Sequence, residues 1–515
     1  MDRAIPQAHS NKAGRGVAGR AGSARFTLLR QTLLYLPSQL AGPAMQFAFA
    51  ILWTHWLTEK NYGLLTLLIA GQELIYLCCA TWWSFYVLRF LGGADAANAR
   101  AILGAEPAIL LATSALQVVL ALGTLAFFGW LGDAELVLVT VSYVIGRSLV
   151  VYLGERARTE AKILLYTIAQ TGALAAGGAL GFLFVAMASD ATSVLAGFAI
   201  SHLVVALWLL RKLDVRGAPK GLDPALLRKA FAFGLPLLAA NVINWVNFNG
   251  IRFVVELMGG TAVVGLLAVG WGLGQRLSTT VAMLVVTAVF PLAAKSMEQG
   301  ARELALAQFR QGGTVLVGLV LPATAGLCVV TPDFVEFAIS APFREATLLV
   351  LPMAILMGAV RNIRAHYADG AFILFDRTRY SILVNGVEAI AMIALCALGY
   401  AWGGLHGAVA GALTASVGGA LLGFVVAFRM GLPIPFLDWG RIAVASGAMA
   451  ALVWEAAPHL KGFAPLTRIL LEGGMGLVAY AAALACLFPL RLRETLSALG
   501  HRPGATLACE PAGKA

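Results

Sequence analysis

The stretch YGLLTLLIAGQEL, residues 62–74, is answered by VGLLAVGWGLGQRL, residues 264–277, with one inserted residue. Gly63-Leu64-Leu65 matches Gly265-Leu266-Leu267, and Gly71-Gln72-Glu73-Leu74 matches Gly274-Gln275-Arg276-Leu277. The apolar run before each copy also opens alike, YLPSQLA at 35–41 and GLPLLAA at 234–240, with Pro37 and Pro236 near the start. Apolar sequences match by chance often, because they draw on few residue types. A constant offset of 202 to 203 residues, at one depth and after matched prolines, points instead to a duplication.

What is duplicated follows from composition. The 515 residues are 60% hydrophobic and 12% charged, with mean hydropathy +0.82. Soluble domains carry roughly a quarter charged residues, so the chain reads as a polytopic membrane protein. In lipid the backbone must satisfy its own hydrogen bonds, and long runs without period-2 alternation mean helices rather than a barrel. The expected spans are fourteen: 32–56, 64–88, 105–131, 134–154, 163–188, 190–210, 231–257, 262–290, 312–331, 344–366, 380–400, 403–428, 441–458 and 468–490. An offset of six spans, an even number, makes a parallel repeat about an axis along the membrane normal. The expected fold is all-α: a basic tail (1–30), an N-lobe (31–210), a linker (211–230), a C-lobe (231–428), two appended spans (429–490) and a C-terminal tail (491–515). The longest connectors, 211–230 and 291–311, are too short for a folded soluble domain.

Charge orients the chain. With the N-terminus inside, 30 of the 37 Lys and Arg fall in inward segments, four in outward ones, and Arg147, Arg252 and Arg276 within spans. The positive-inside rule then puts both termini in the cytoplasm. The net charge of +11 is explained by topology, with no nucleic-acid partner needed. The basic N-terminal segment resembles the start of a signal peptide, but the following apolar run is too long and reads as uncleaved. The six cysteines show no metal-ligand spacing, the seven histidines are scattered, and no phosphate-cradling Gly-rich loop is present. No cofactor is expected.

Polar residues inside spans carry the functional reading. In the seventh, NVINWVNFNGIRFVV (241–255), the residues Asn241, Trp245, Asn249, Arg252 and Glu256 share one face, with Asn244 at its edge. A charge at mid-helix costs about 2.5–3.5 kcal/mol and normally faces water or a partner. The face reads as lining a wet path between lobes, with interhelical hydrogen bonding as the plainer reading. Arg276 and Gln275 in the eighth span and Arg147 in the fourth join it; for Arg147 a buried ion pair or snorkelling is the alternative. Arginine presents a planar fork suited to phosphate, and amides with tryptophans suit sugars, although Trp245 and Trp271 fit plain packing equally well. Arg361 and Arg364 with Glu388 read as a structural ion pair. Glu73, the repeat counterpart of Arg276, reads as a coupling or gating acid that approaches Arg276 in one state; pairing within its own lobe is the alternative.

The block FGLPLLAANVINWVNFNGIRFVVELMGGTAVVGLLAVGWGL (233–273), with fourteen spans and the six-plus-six repeat, resembles the polysaccharide and O-antigen flippases of the multidrug/oligosaccharidyl-lipid/polysaccharide exporter superfamily. The resemblance spans roughly residues 28–490 and is distinctive over 231–295. It implies a cationic cavity and alternating access, moving an undecaprenyl-pyrophosphate-linked oligosaccharide from the cytoplasmic to the periplasmic leaflet of a bacterial inner membrane. It further implies contact with membrane lipid, proton or sodium coupling, polymerase or glycosyltransferase partners, and no enzyme activity. Three alternatives stay open. A drug/cation antiporter of the superfamily typically has twelve spans and an acid in its first span, which is missing here. A membrane polymerase or ligase needs a large outward loop, which no connector provides. The lipid II flippase branch has arginines in its first two spans, where this chain has only Arg89 at the inner end of the second.

Overall fold

The computed structural model describes residues 41–215 and 222–489, apart from the side chains of 284–292. Both tails, the first span before residue 41 and residues 216–221 of the linker lie outside it. Fourteen helices run through the described residues, and none of those residues is in a strand. They are α1 (41–52), α2 (Glu59–Phe90), α3 (Ala96–Phe127), α4 (Ala134–Thr159), α5 (Ile163–Val185), α6 (Ala191–Lys212) and α7 (Pro224–Gly259). There follow α8 (Thr261–Glu298), α9 (Arg302–Ala338), α10 (Ala341–Leu374), α11 (379–402), α12 (405–429), α13 (Phe436–Ala456) and α14 (Pro465–Leu487). Eleven described segments are long and apolar enough to cross a membrane, with α11 and α12 counted as one. The protein is a multi-pass helical membrane protein, as expected.

Local chemistry sets the helix ends. Thr58, Asp95, Asp133, Asp190 and Asp223 each accept a backbone N–H of the first turn, the usual satisfaction of an orphan donor. Between α11 and α12 the chain reverses through Gly403 and Gly404; Gly404, at φ 57° and ψ −140°, occupies a region open only to glycine. Two connectors are shorter than expected. α7 already begins at Pro224, and only residues 299–301 separate α8 from α9. The segments taken as loops, such as ARELALAQF (301–309), are rich in Ala, Leu, Glu and Gln, which favour helix even beyond the hydrocarbon.

The chain forms two compact units. One holds the described residues through Gly272 with Ala389–Gly411; the other holds Leu273–Glu388 and everything from Ala412 onward. In the first, Tyr76, Trp82, Trp83, Tyr86, Tyr152 and Tyr166 build an aromatic core at the basic ends of α2, α4 and α5. Trp82 stacks on Phe231 with ring centroids 4.0 Å apart, binding α2 to α7. In the second, Phe309, Tyr367 and Phe372 form the core, with Trp439 edge-on to Tyr367.

One contact in the first unit tests the repeat. A Cβ on Gly63 would lie 1.9 Å from the Thr261 carbonyl oxygen, and a Cβ on Gly265 would lie 1.8 Å from that of Glu59. Glu59 and Thr261, like Gly63 and Gly265, are repeat equivalents, so α2 and α8 cross in a contact where each helix does to the other what is done to it. That reciprocity is the mark of a two-fold axis through the contact. It bears out the duplication read from the sequence, and it explains why both copies keep glycine where backbones meet.

Candidate functional site

The site is built on α2, α4, α6 and α7 of the first unit. Arg147 sits at the middle of α4, about 20 Å along the helix from its start. Glu73 is about 21 Å along α2, and Arg276, in the second unit, about 22 Å along α8. The three share one depth on their own helices.

Arg147 is half-buried, and its Nη1 lies 3.4 Å from Nε2 of His202 on α6. His202 is 1% exposed, and its Nδ1 lies 2.6 Å from the Phe198 carbonyl oxygen. A carbonyl only accepts, so Nδ1 carries the proton and donates; Nε2 is left with its lone pair, which accepts from the guanidinium. The imidazole is therefore neutral, and it aims Arg147 without cancelling its charge. No carboxylate lies within ion-pair distance of Arg147 among the described residues. Tyr143 packs edge-on against His202, with centroids 5.8 Å apart. Tyr76 lies within electrostatic reach of Arg147, and Tyr143 within that of Glu73. Glu73 itself is exposed, while its neighbour Gln72 is buried and donates to Ser148 Oγ at 3.1 Å.

The polar face of α7 is organised along its own helix. Asn241 donates to the Leu237 carbonyl at 2.8 Å. Arg252 donates from Nη1 to Asn249 Oδ1 at 2.6 Å, which holds the guanidinium along the helix face, half-buried. Glu256 accepts from the Thr261 hydroxyl at 2.8 Å. Trp245 is buried against Phe253, and its indole N–H meets no acceptor among the described residues. In the second unit the buried Gln275 likewise keeps an amide N–H without an acceptor among the described residues. Buried donors are paired in the great majority of cases, and other buried polar atoms, the Trp439 indole N–H among them, share this state among the described residues. Trp271 is different: its indole donates to the Phe248 carbonyl at 2.9 Å, and the ring is 1% exposed. That is packing, with no face left for a sugar.

Two buried ionic clusters are structural. Arg364 pairs with Glu388, which also accepts from Ser416 Oγ at 2.9 Å, while Arg361 lies 3.6 Å from Glu388. This is the structural pairing expected for Arg361, Arg364 and Glu388. Its counterpart in the first unit was not anticipated. Arg156 pairs with Glu106, which accepts from Tyr152 Oη at 2.7 Å, and Arg156 Nη2 donates to the Leu213 carbonyl at 2.8 Å. Arg156 lies just past the expected fourth span (134–154), among the inward cations, and Glu73 is the acid read there as functional. The buried acid is Glu106, 1% exposed. Its position inside a long apolar helix, about three turns from the start, was the available signal.

Residues 112–348 match the profile of a polysaccharide biosynthesis protein family. That range holds Arg147, His202, Arg252 and Arg276. No curated protein matches the chain in sequence. Among solved structures, the lipid II flippase MurJ in an inward closed conformation superposes with a TM-score of 0.68 at 13% identity, over 91% of this chain and 100% of that one. An inward-facing multidrug resistance MATE family transporter of the MOP superfamily gives 0.53 at 12% identity, over 77% and 97%. A MOP superfamily transporter from Pyrococcus furiosus gives 0.53 at 14%, over 78% and 95%. The chain shares the fold of these solved structures, and the resemblance read from the sequence agrees with that fold and with the profile match.

Proposed function

We propose that this chain is an alternating-access flippase that carries a lipid-pyrophosphate-linked oligosaccharide across the membrane for polysaccharide biosynthesis. The observation that supports this most is Arg147. It is a guanidinium at mid-helix, aimed by a neutral histidine and left without a carboxylate among the described residues, so its charge remains available to an anion. A pyrophosphate is a dense anion that a guanidinium grips through two parallel hydrogen bonds. The unmatched N–H groups of Trp245 and Gln275 suit the hydroxyl acceptors of a sugar. The polysaccharide biosynthesis profile over 112–348 points to the same substrate class, and the MurJ likeness to a fold able to move a lipid-linked saccharide.

In this reading Arg147, Arg252 and Arg276 hold the pyrophosphate, Asn241, Asn249, Trp245 and Gln275 contact sugar, and the path runs between lobes 31–210 and 231–428. Glu73 is the coupling acid, on the strength of its exposure and its place in the repeat opposite Arg276. Protons or sodium ions drive the cycle, both termini face the cytoplasm of a bacterial inner membrane, and the direction is outward. Polymerases or glycosyltransferases act on the same lipid before and after it. The protein transports and does not catalyse a covalent step. Polymer export in cells tests the assignment. Arg147→Ala should cut export by roughly tenfold or more while membrane insertion stays normal, and Arg147→Lys should recover only part of it. Export by Arg147→Ala at the unaltered level would remove the arginine from the site.

A further inference from the structure

At the basic end of the second unit, three turns border an open cavity of about 620 Å³, lined by Met297, Arg302, Phe375, Asp376, Arg377 and Tyr380 together with Leu374 and Met430. The volume lies within the roughly 300–1,000 Å³ of small-ligand sites. Its walls are held by backbone. Arg377 N–H donates to the Phe372 carbonyl at 2.7 Å and Asp376 N–H to that of Ile373 at 3.1 Å, with Asp376 in the left-handed region at φ 54°. The turn after α12 is closed by Gly431 at φ 93°. Arg302 lies over the Phe375 ring at 5.7 Å and Arg379 over Tyr380 at 5.2 Å, which pre-orients both guanidinium groups.

Arg302, Arg377, Arg379 and Arg429 are all exposed, and none is ion-paired among the described residues. Asp376 is the single carboxylate of the lining, so the two lining arginines leave it net positive. The other half of the lining is apolar: Met297, Leu374, Phe375 and Met430. Leu374 is also the last residue of a helix long and apolar enough to cross a membrane, so the cavity sits at that helix's end, where anionic headgroups meet juxtamembrane arginines.

We infer that this cavity binds the phosphoryl headgroup of an anionic phospholipid. Arg302 and Arg377 grip the phosphate, and the apolar side takes the glycerol and the first methylenes of the chains. The feature that separates a lipid from free phosphate is that apolar half, which inorganic phosphate has no means to use. A zwitterionic choline headgroup carries its own cation and competes poorly for guanidinium. This site is independent of what the chain transports, and its test reads lipid binding alone.

The full-length protein is extracted from vesicles of phosphatidylcholine containing phosphatidylglycerol, and the retained lipids are counted by native mass spectrometry. Wild type should retain phosphatidylglycerol in preference to phosphatidylcholine. The double variant Arg302→Ala/Arg377→Ala should lose that preference by roughly tenfold, and Arg302→Lys/Arg377→Lys should fall between the two. Asp376→Asn, which keeps both arginines, should raise retention. Full retention by the double alanine variant, or lysines serving as well as arginines, would reduce the effect to diffuse attraction and overturn the site. So would Asp376→Asn without a rise. Arginine-dependent binding of inorganic phosphate without retained phosphatidylglycerol would overturn the lipid assignment.

Discussion

At the scale of single residues, the account turns on how charge is handled away from water. Arg156 and Glu106 cancel each other in a buried pair, whereas Arg147 is steered by an imidazole that leaves its charge intact. The two should respond oppositely to mutation. Arg156→Ala strands Glu106 in the core and should cost about 3–5 kcal/mol, visible as a lower thermal unfolding midpoint. Arg147→Ala strands no charge and should leave that midpoint nearly unchanged while export falls. His202→Ala keeps the guanidinium but frees its direction, so export should drop with the charge still present; His202→Gln, which retains an acceptor, should do less harm. If His202→Ala exports normally, the imidazole is not what positions Arg147. Little of this pairing was legible in the sequence. Arg147 stood out because it interrupts an apolar run, but His202 is 55 residues away and Glu106 is 50 residues from Arg156. Nothing local marks partners that only tertiary packing brings together.

At the scale of helices, sequence and structure agree where hydropathy and glycine decide, and part where helix propensity continues beyond the apolar run. The spans were readable because lipid forces helices, while the turn expected at 401–402 falls instead at Gly403-Gly404, where Gly404 adopts a glycine-only conformation. The extension of α7 back to Pro224 and of α9 back to Arg302 was not, since polar helix and polar loop look alike to a hydropathy argument. The α2–α8 crossing yields a symmetric prediction. Gly63→Ala and Gly265→Ala each place a methyl inside a backbone carbonyl's contact radius, so each should destabilise by about 1–3 kcal/mol, and by similar amounts. A large effect from one and none from the other, measured by thermal unfolding in the same detergent, would show that the contact is not reciprocal.

For the whole molecule, the proposal joins the duplication, the positive-inside bias and the shared fold into one machine with a cationic path. Reporter fusions after residues 30 and 488 should both be active in the cytoplasm and silent outside it; opposite behaviour at the two ends would break the even count of spans. The central claim is that the chain moves a pyrophosphate-linked glycolipid and that Arg147 grips its anion. The direct measurement uses purified protein in sealed vesicles carrying a polyprenyl-pyrophosphate oligosaccharide in the inner leaflet, with a lectin outside to report arrival of the sugar. The account predicts lectin capture that depends on the protein, slows by roughly tenfold or more with Arg147→Ala, and is lost when the pyrophosphate is replaced by a neutral linker. Equal capture with the neutral linker, or with Arg147→Ala, would contradict it.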